Sequence, residues 1–488
     1  MLPGVERATP LPRIESDPGE RALPINLPTA LRLAGARPLI ITAAQARLQI
    51  AQAELGKANV LWLPSLNTGA GYYFHDGATQ GQSGNYYNNN KNEFLAGGGF
   101  TAKVAATDAF YAPLAARQVV RSREIDIQSA RNDAVQTAAE VYFFVQQARG
   151  RLAALRDVVD KNREMVKAIE AERAGTARPT DLHRARTQLA RFEDDYATAR
   201  EQWGLASADL NRVLRLNPSS IVAPIEPPNL RMTLISPQVP VDTLIPIGLT
   251  SRPELASQQA LVQAALIRIK QERMRPLIPS LVLQGSPGSA GPGGYLMGGL
   301  FSSGVNGNAN PTNGRVDVSV ALVWEMQNLG LGNRAMVRES RAQEQQVLIE
   351  LFRIQDMVAA EIVQAYTRVS SSNARIASSE TGLREATLAY EGSLAELGKV
   401  ERKGDVAIVV RRVFEVIDAL KSLSAAYDTY FESINDYNRA QFRLYRSLGY
   451  PAESLIYDPA LGPTMPVDTT RPPQMAPVCP PGNSSYPP

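Results

Sequence analysis

The chain has 488 residues, 44% of them apolar but only 7% aromatic, and its 51 basic and 48 acidic side chains leave a net charge of +3. So even a balance carries no electrostatic footprint for nucleic acid, and the single cysteine, Cys479, excludes an intramolecular disulfide or a cysteine-rich zinc site. Such a composition suits long packed helices better than large globular cores.

Residues 1–26 read as an irregular arm of prolines and charges. It holds no apolar run of signal-peptide length, so an export signal has either been removed or never existed. Residues 27–61 read as helix. From Ser65 the period changes to two: Leu66, Thr68, Ala70, Tyr72 and Phe74 share one face, and Asn67, Gly69, Gly71, Tyr73 and His75 the other. Residues 76–92 are rich in Gly, Asn and Gln and read as a long polar loop, after which residues 93–106 return as a glycine-weakened strand.

The same plan recurs later in the chain. Arg37-Pro38 and Leu63-Pro64-Ser65-Leu66 reappear as Arg252-Pro253 and Ile278-Pro279-Ser280-Leu281, at a constant offset of 215. A duplication this long means two similar halves, each too large for a solenoid repeat. In the second copy a strand opens at Ser280, a loop rich in Gly, Asn and Pro covers residues 287–314, and residues 315–324 return. There Val316, Val318, Val320, Leu322 and Trp324 alternate with Arg315, Asp317, Ser319 and Ala321, a pattern that suits lipid on one face and water on the other. A soluble hairpin with one face on a helix shares that periodicity. No run approaches the 18 or more apolar residues of a spanning helix, so a membrane crossing would fall to strands.

Long helices follow each strand pair. No proline lies between Pro113 and Pro179, nor anywhere in residues 321–450. Val145, Ala148, Leu152, Leu155, Val159, Val166 and Ile169 keep a coiled-coil seam that only Asn162 breaks. A helix of about 60 residues would be roughly 90 Å long, more than a compact domain needs. The returning helices share one stripe: Leu182, Ala185, Leu189, Phe192, Tyr196, Ala199, Trp203 and Ala206 match Val416, Ala419, Leu423, Ala426, Tyr430, Ser433, Tyr437 and Ala440 in phase. Small residues alternating with aromatics suit close helix packing. The chain thus divides into the arm, a first repeat (27–216, strand pair about 65–106, helical hairpin 113–216), a proline-rich linker (217–241), a second repeat (242–455, strand pair about 280–324, helical hairpin 330–450) and a proline-rich tail (456–488) expected to be disordered.

In its duplicated Arg-Pro to Pro-Ser-Leu segments, its first tip Gly175-Thr176-Ala177-Arg178-Pro179-Thr180-Asp181, and Phe414-Glu415-Val416-Ile417-Asp418-Ala419-Leu420, the chain resembles the TolC-like outer-membrane efflux proteins. The resemblance covers roughly residues 27–455 and rests on the order and duplication of these segments. It implies an α+β membrane protein: a homotrimer in which each protomer lends four strands to a 12-stranded outer-membrane β-barrel, continued by an α-helical coiled-coil tunnel across the periplasm. Closure by three protomers would also remove the unpaired edges of a lone four-stranded sheet.

The functional residues follow from the same resemblance. Glu415 and Asp418 share a helix face and match the acidic pair at the family's periplasmic entrance, where six carboxylates would attract cations. Thr180 and Asp181, with Arg411, match a latch between neighbouring protomers, a charge-assisted contact of about 1 to 3 kcal/mol. Gly175, Gly404 and Asp405 mark the tips where a periplasmic adaptor, linked to an inner-membrane pump, would dock. Trp62 and Trp324, beside the strands, are assigned to the membrane interface. The sequence departs from the pattern in the second descending limb: Arg117 to Asp181 spans 64 positions and Arg334 to Glu415 spans 81, placing about 17 extra residues near 398–410. No cofactor or metal site is implied. An enzyme is not expected either, because His75 and His183 are the only histidines and neither joins a nucleophile or metal-ligand motif. The expected function is an exit duct for efflux or type I secretion; the rival is a soluble coiled-coil scaffold or adaptor.

Overall fold

A computed structural model describes residues 22–450, apart from residues 37, 172–178, 285–297, 306–307, 310, 317, 398–399, 404–405 and 410–412. The first half contains β1 (Ala22–Ile25), α1 (Leu27–Ala36), α2 (Leu39–Asn59), β2 (Ser65–Gln80), β3 (Tyr86–Ala105), α3 (Ala106–Ala171) and α4 (Pro179–Leu214). The second contains β4 (Ile221–Pro224), α5 (Val241–Ser251), α6 (Pro253–Met274), β5 (Ser280–Gln284), β6 (Gly298–Val305), β7 (Asn308–Ala309), β8 (Asn313–Val316) and β9 (Ser319–Val323). It ends with α7 (Leu331–Ala395), β10 (Val400–Lys403), β11 (Val406–Val409) and α8 (Val413–Ser447). Residues 45–126 with 256–353 form one compact unit, and the remaining described residues form the other.

Several boundaries differ from the sequence reading. The arm ends in β1, which pairs in parallel with β4. The helix expected over residues 27–61 is two helices: α2 starts directly after Pro38, which lacks an amide proton to continue a helix. The second copy breaks at the same place, with Pro253 as the first residue of α6, where a proline costs nothing because that N–H has no intrahelical partner. The first long helix starts at Ala106 and contains Pro113 in its second turn. The polar loop expected over residues 76–92 is mostly strand, and the loop over 287–314 contains β6 and β7 and the start of β8. The proline-rich tail lies outside the described residues.

In the strand-bearing unit, β2 and β3 pair antiparallel without interruption from Ser65 opposite Thr101 to Gln80 opposite Tyr86. The other edge of β3 pairs with β5 and then with β6, and these pair in turn with β9 and with β8 and β7. Four lanes result, two from each half of the chain. Four residues along β3, from Ala102 back to Gly98, correspond to fifteen along the third lane, from Leu283 to Gly298, and to four along the last, from Val320 to Val316. The third lane therefore carries eleven more residues than its neighbours between its two strands. Among the described residues, the outer edges of β2 and of the last lane have no partner strand. The register puts Leu66, Tyr72, Phe74, Phe94, Leu300 and Leu322 on one face, and all six are exposed.

The helical unit buries most positions of the stripes read from the sequence. Val158, Met165, Ile169, Leu182, Phe192, Val416 and Leu420 share one core with Tyr390 of α7. Trp203 and Tyr437, also stripe positions, are buried too. Asn162 is buried in the α3 seam, and its amide has no hydrogen-bond partner among the described residues. The linker over residues 217–241 has little secondary structure, so its backbone groups must be paired by side chains. Asn438 accepts from the Met232 amide at 2.9 Å and donates to the Leu230 carbonyl at 2.7 Å. One turn further along α8, Gln441 accepts from the Leu234 and Ile235 amides and donates to the Ile235 carbonyl.

The duplicated Arg-Pro step acquires a role here. The Arg252 side chain is buried and pairs with Glu361 of α7 at 2.6 Å. Arg446 of α8 joins them, reaching Asp133 of α3, Glu254 of α6 and Glu361 at 2.7, 3.2 and 3.0 Å. Burial lowers the Arg252 guanidinium, and the positive charge of Arg446 lowers it further, against the opposing pull of the carboxylates. Where α8 ends, Gly449 takes φ +76°, and a Cβ there would lie 2.7 Å from the Ser251 carbonyl oxygen, just before the Arg252 step.

The 17 extra residues divide between two places. Between α3 and α4 lie seven residues, and between α7 and α8 seventeen, which include the antiparallel pair β10–β11. Ten of the extra residues are thus in this connection. The other seven lengthen α7, since Arg117 precedes the end of α3 by 54 positions and Arg334 precedes the end of α7 by 61. Seven residues is about two helical turns, which returns the same helix face to the core.

Candidate functional site

The first turns of α8 carry Glu415 and Asp418, three residues apart and therefore on one face. That face lines an open groove of about 1060 Å³ within the helical unit, which α4 borders with His183, Arg184 and Arg191 and α8 completes with Lys421. Asp418 is exposed and Glu415 half-buried, while Val416, Ile417 and Leu420 point into the core and fix the rotation of the helix. The acidic pair thus shares its groove with arginine, lysine and histidine, so the field there is mixed in sign. His183, which reads as incidental in sequence, lines this groove; its position four residues before Thr187, a second lining residue on the same helix, is the signal that could have found it.

The latch residues are placed unevenly. Thr180 and Asp181 occupy the first turn of α4, where a carboxylate is favoured by the helix N-terminus. Asp181 faces Arg184 of its own helix at 3.7 Å. Arg411 lies outside the described residues, as do Gly175, Gly404 and Asp405. Trp62 and Trp324 stand at the helix-to-strand transition of the first half and just after β9, and they are 61% and 58% exposed.

Further along the helical unit the ionisable groups are tied down. Burial pushes the Asp428 carboxyl up, Arg151 at 3.2 Å pulls it back, and Asp195 and Glu432 push it up again, so the net direction is upward. Burial also raises the Tyr427 phenol, together with the charge of Asp157, whose carboxylate accepts its hydrogen bond at 3.2 Å. Among the described residues no group of His, Cys, Asp and Glu has the makings of a metal site, and no helix is long and apolar enough to cross a membrane.

Residues 31–214 match the family model of the outer membrane efflux protein. No curated protein sequence matches the chain. Among solved structures the chain is similar to a membrane protein from Pseudomonas aeruginosa, with a TM-score of 0.68, 15% identity, and 89% of this chain and 94% of that one covered. It is similar to the Campylobacter jejuni CmeC outer membrane channel, with a TM-score of 0.65, 15% identity and coverage of 87% and 85%. It is also similar to the open state of the Neisseria gonorrhoeae MtrE outer membrane channel, with a TM-score of 0.63, 15% identity and coverage of 93% and 97%. At these identities the likeness to solved structures carries the fold.

Proposed function

We propose that the chain belongs to the outer membrane efflux proteins, on the match over residues 31–214 and a fold shared with outer-membrane channels, and that it acts as the exit duct of a tripartite efflux or type I secretion system. The observation that carries this reading is the four-lane sheet with one exposed apolar face and, among the described residues, two unpaired outer edges. An isolated sheet of this kind leaves backbone donors and acceptors without partners, which a bilayer does not tolerate. Three copies that pair β2 of one protomer with the last lane of the next would close a 12-stranded barrel with its apolar face toward lipid. Trp62 and Trp324, both exposed at strand ends, would then sit at the membrane interface. The two structural repeats would surround one axis, and the paired long helices would extend the conduit through the periplasm.

Gating belongs to the free ends of the helical hairpins. In a trimer Glu415 and Asp418 would set six carboxylates around the periplasmic entrance, favouring cations. Arg411 would hold Asp181 and Thr180 of a neighbouring copy, with Arg184 competing for the same carboxylate. The turns at Gly175 and at Gly404-Asp405 would receive a periplasmic adaptor that links the duct to an inner-membrane pump. The test is single-channel recording of the Glu415→Ala/Asp418→Ala double variant, which should lose cation preference and block by multivalent cations. Unchanged selectivity would remove the acidic pair from the gate. A soluble monomer on membrane fractionation and unheated gel electrophoresis would refute the duct and favour the scaffold.

A further inference from the structure

The face of the sheet opposite the exposed apolar one carries an ionisable cluster that the family resemblance does not account for. Asn89, Lys91 and Glu93 alternate along β3 and so project to one side. The register places Gly77, His75 and Tyr73 of β2 opposite them, with Ser303 of β6 opposite Glu93 on the other edge. His75 shares a hydrogen bond of 3.1 Å with Thr79 on this face. Lys91 Nζ lies 2.6 Å from Glu93 Oε1. Glu93 is only 9% exposed, and its second oxygen, Oε2, has no hydrogen-bond partner among the described residues; the same holds for Oδ1 of Asn89.

Two buried acceptors without donors on one strand are costly, and such groups call for an explanation. Each can accept hydrogen bonds, and one is anionic, so the complementary ligand is a donor-rich cation. We propose that Glu93, with Asn89 and held by Lys91, forms a second selectivity site inside the strand-built part of the conduit, recognising the protonated amines of passing solutes. This rests on the channel reading above, in which the face opposite the lipid-facing one lines the lumen. The Lys91–Glu93 pair is near neutral as it stands, so removing either member exposes the charge of the other.

That reciprocity supplies a test which a merely structural pair would fail. In bilayers under a KCl gradient, Glu93→Gln should move the reversal potential toward anion preference and Lys91→Gln toward cation preference. Each change should be roughly fourfold in permeability ratio, as expected for one unit charge about 5 Å from the permeant ion in water. Asn89→Leu should leave the reversal potential in place but weaken spermidine binding. Calorimetric titration of the detergent-purified protein with spermidine gives a readout independent of conduction. Binding lost in Glu93→Gln and retained in Glu201→Gln, which removes an exposed carboxylate of α4, supports the site. Spermidine binding indifferent to Glu93→Gln, or reversal potentials that shift in the same direction in both charge variants, would overturn it. Wild-type protein that binds spermidine through Glu93 but never conducts would count against the duct and not against the site.

Discussion

Replacing Gln441 by Met should loosen the linker over residues 217–241 without disturbing α8. The side chain lengths are similar, so packing changes little. What changes is the pairing: Gln441 accepts from the Leu234 and Ile235 amides at 3.1 and 2.9 Å and donates to the Ile235 carbonyl at 3.0 Å, all in buried surroundings. Methionine leaves two donors and one acceptor without partners. At about 1 to 3 kcal/mol for each unsatisfied buried group, the local cost is on the order of 3 to 6 kcal/mol if water reaches some of them. Amide hydrogen exchange followed by mass spectrometry should then show peptides spanning residues 230–236 opening at least about a hundredfold faster, because each 1.4 kcal/mol is a factor of ten. Peptides of the α3–α4 hairpin should be unaffected. If linker exchange in Gln441→Met stays within about threefold of wild type, the linker is held by its apolar contacts and the hydrogen-bond reasoning is wrong.

Arg446→Met takes from Asp133 its ion pair and leaves Glu254 and Glu361 with Arg252, which should cost about 3 to 5 kcal/mol and appear as a lower thermal midpoint of the purified protein. Gly449→Ala forces a side chain into a left-handed backbone position 2.7 Å from the Ser251 carbonyl; a loss of about 1 kcal/mol or more is expected in the same assay. Burial pushes the Glu140 carboxyl up, but the hydrogen bonds from Arg443 and Gln136 outweigh it, so its folded value is lowered. Its contribution to stability is therefore complete above the unfolded value of about 4.3 and fades as pH falls through the lower folded value. Arg443→Gln should accordingly destabilise at pH 7, and the gap to wild type should close below about pH 4.

The sequence reveals much of the helical part because its signals are local and periodic. In the two stripes Leu182, Ala185, Phe192, Ala199 and Trp203, and Val416, Leu423, Ser433, Tyr437 and Ala440, are buried as their spacing requires, and both helix-to-strand transitions fall after Pro64 and Pro279. Residues 76–92 mislead for a physical reason: Tyr, Asn and Gly on both faces give no apolar alternation, and strand formation there depends on the ladder that β3 offers across the hairpin. The β10–β11 pair is likewise invisible as amphipathicity, although the surplus in residue count points to its location. At the groove, Glu415 and Asp418 emerge from family likeness, but Arg184 and Arg191 opposite them emerge only once α4 is folded beside α8. Asn89 and Lys91 read as loop, so they share a face with Glu93 only once β3 extends through them against β2.

The eleven additional residues of the third lane have a consequence for anyone who labels this protein. Because paired residues share a face and eleven is odd, parity reverses across the interval: Leu281 is exposed on the apolar side at an odd position, Leu300 at an even one. Cysteine scanning that counts straight through residues 285–297 would therefore assign one half of that lane to the wrong solvent. Maps of lipid-quenched and water-quenched fluorophores should flip phase between Gln284 and Gly298 while staying in phase along β3 and between β8 and β9.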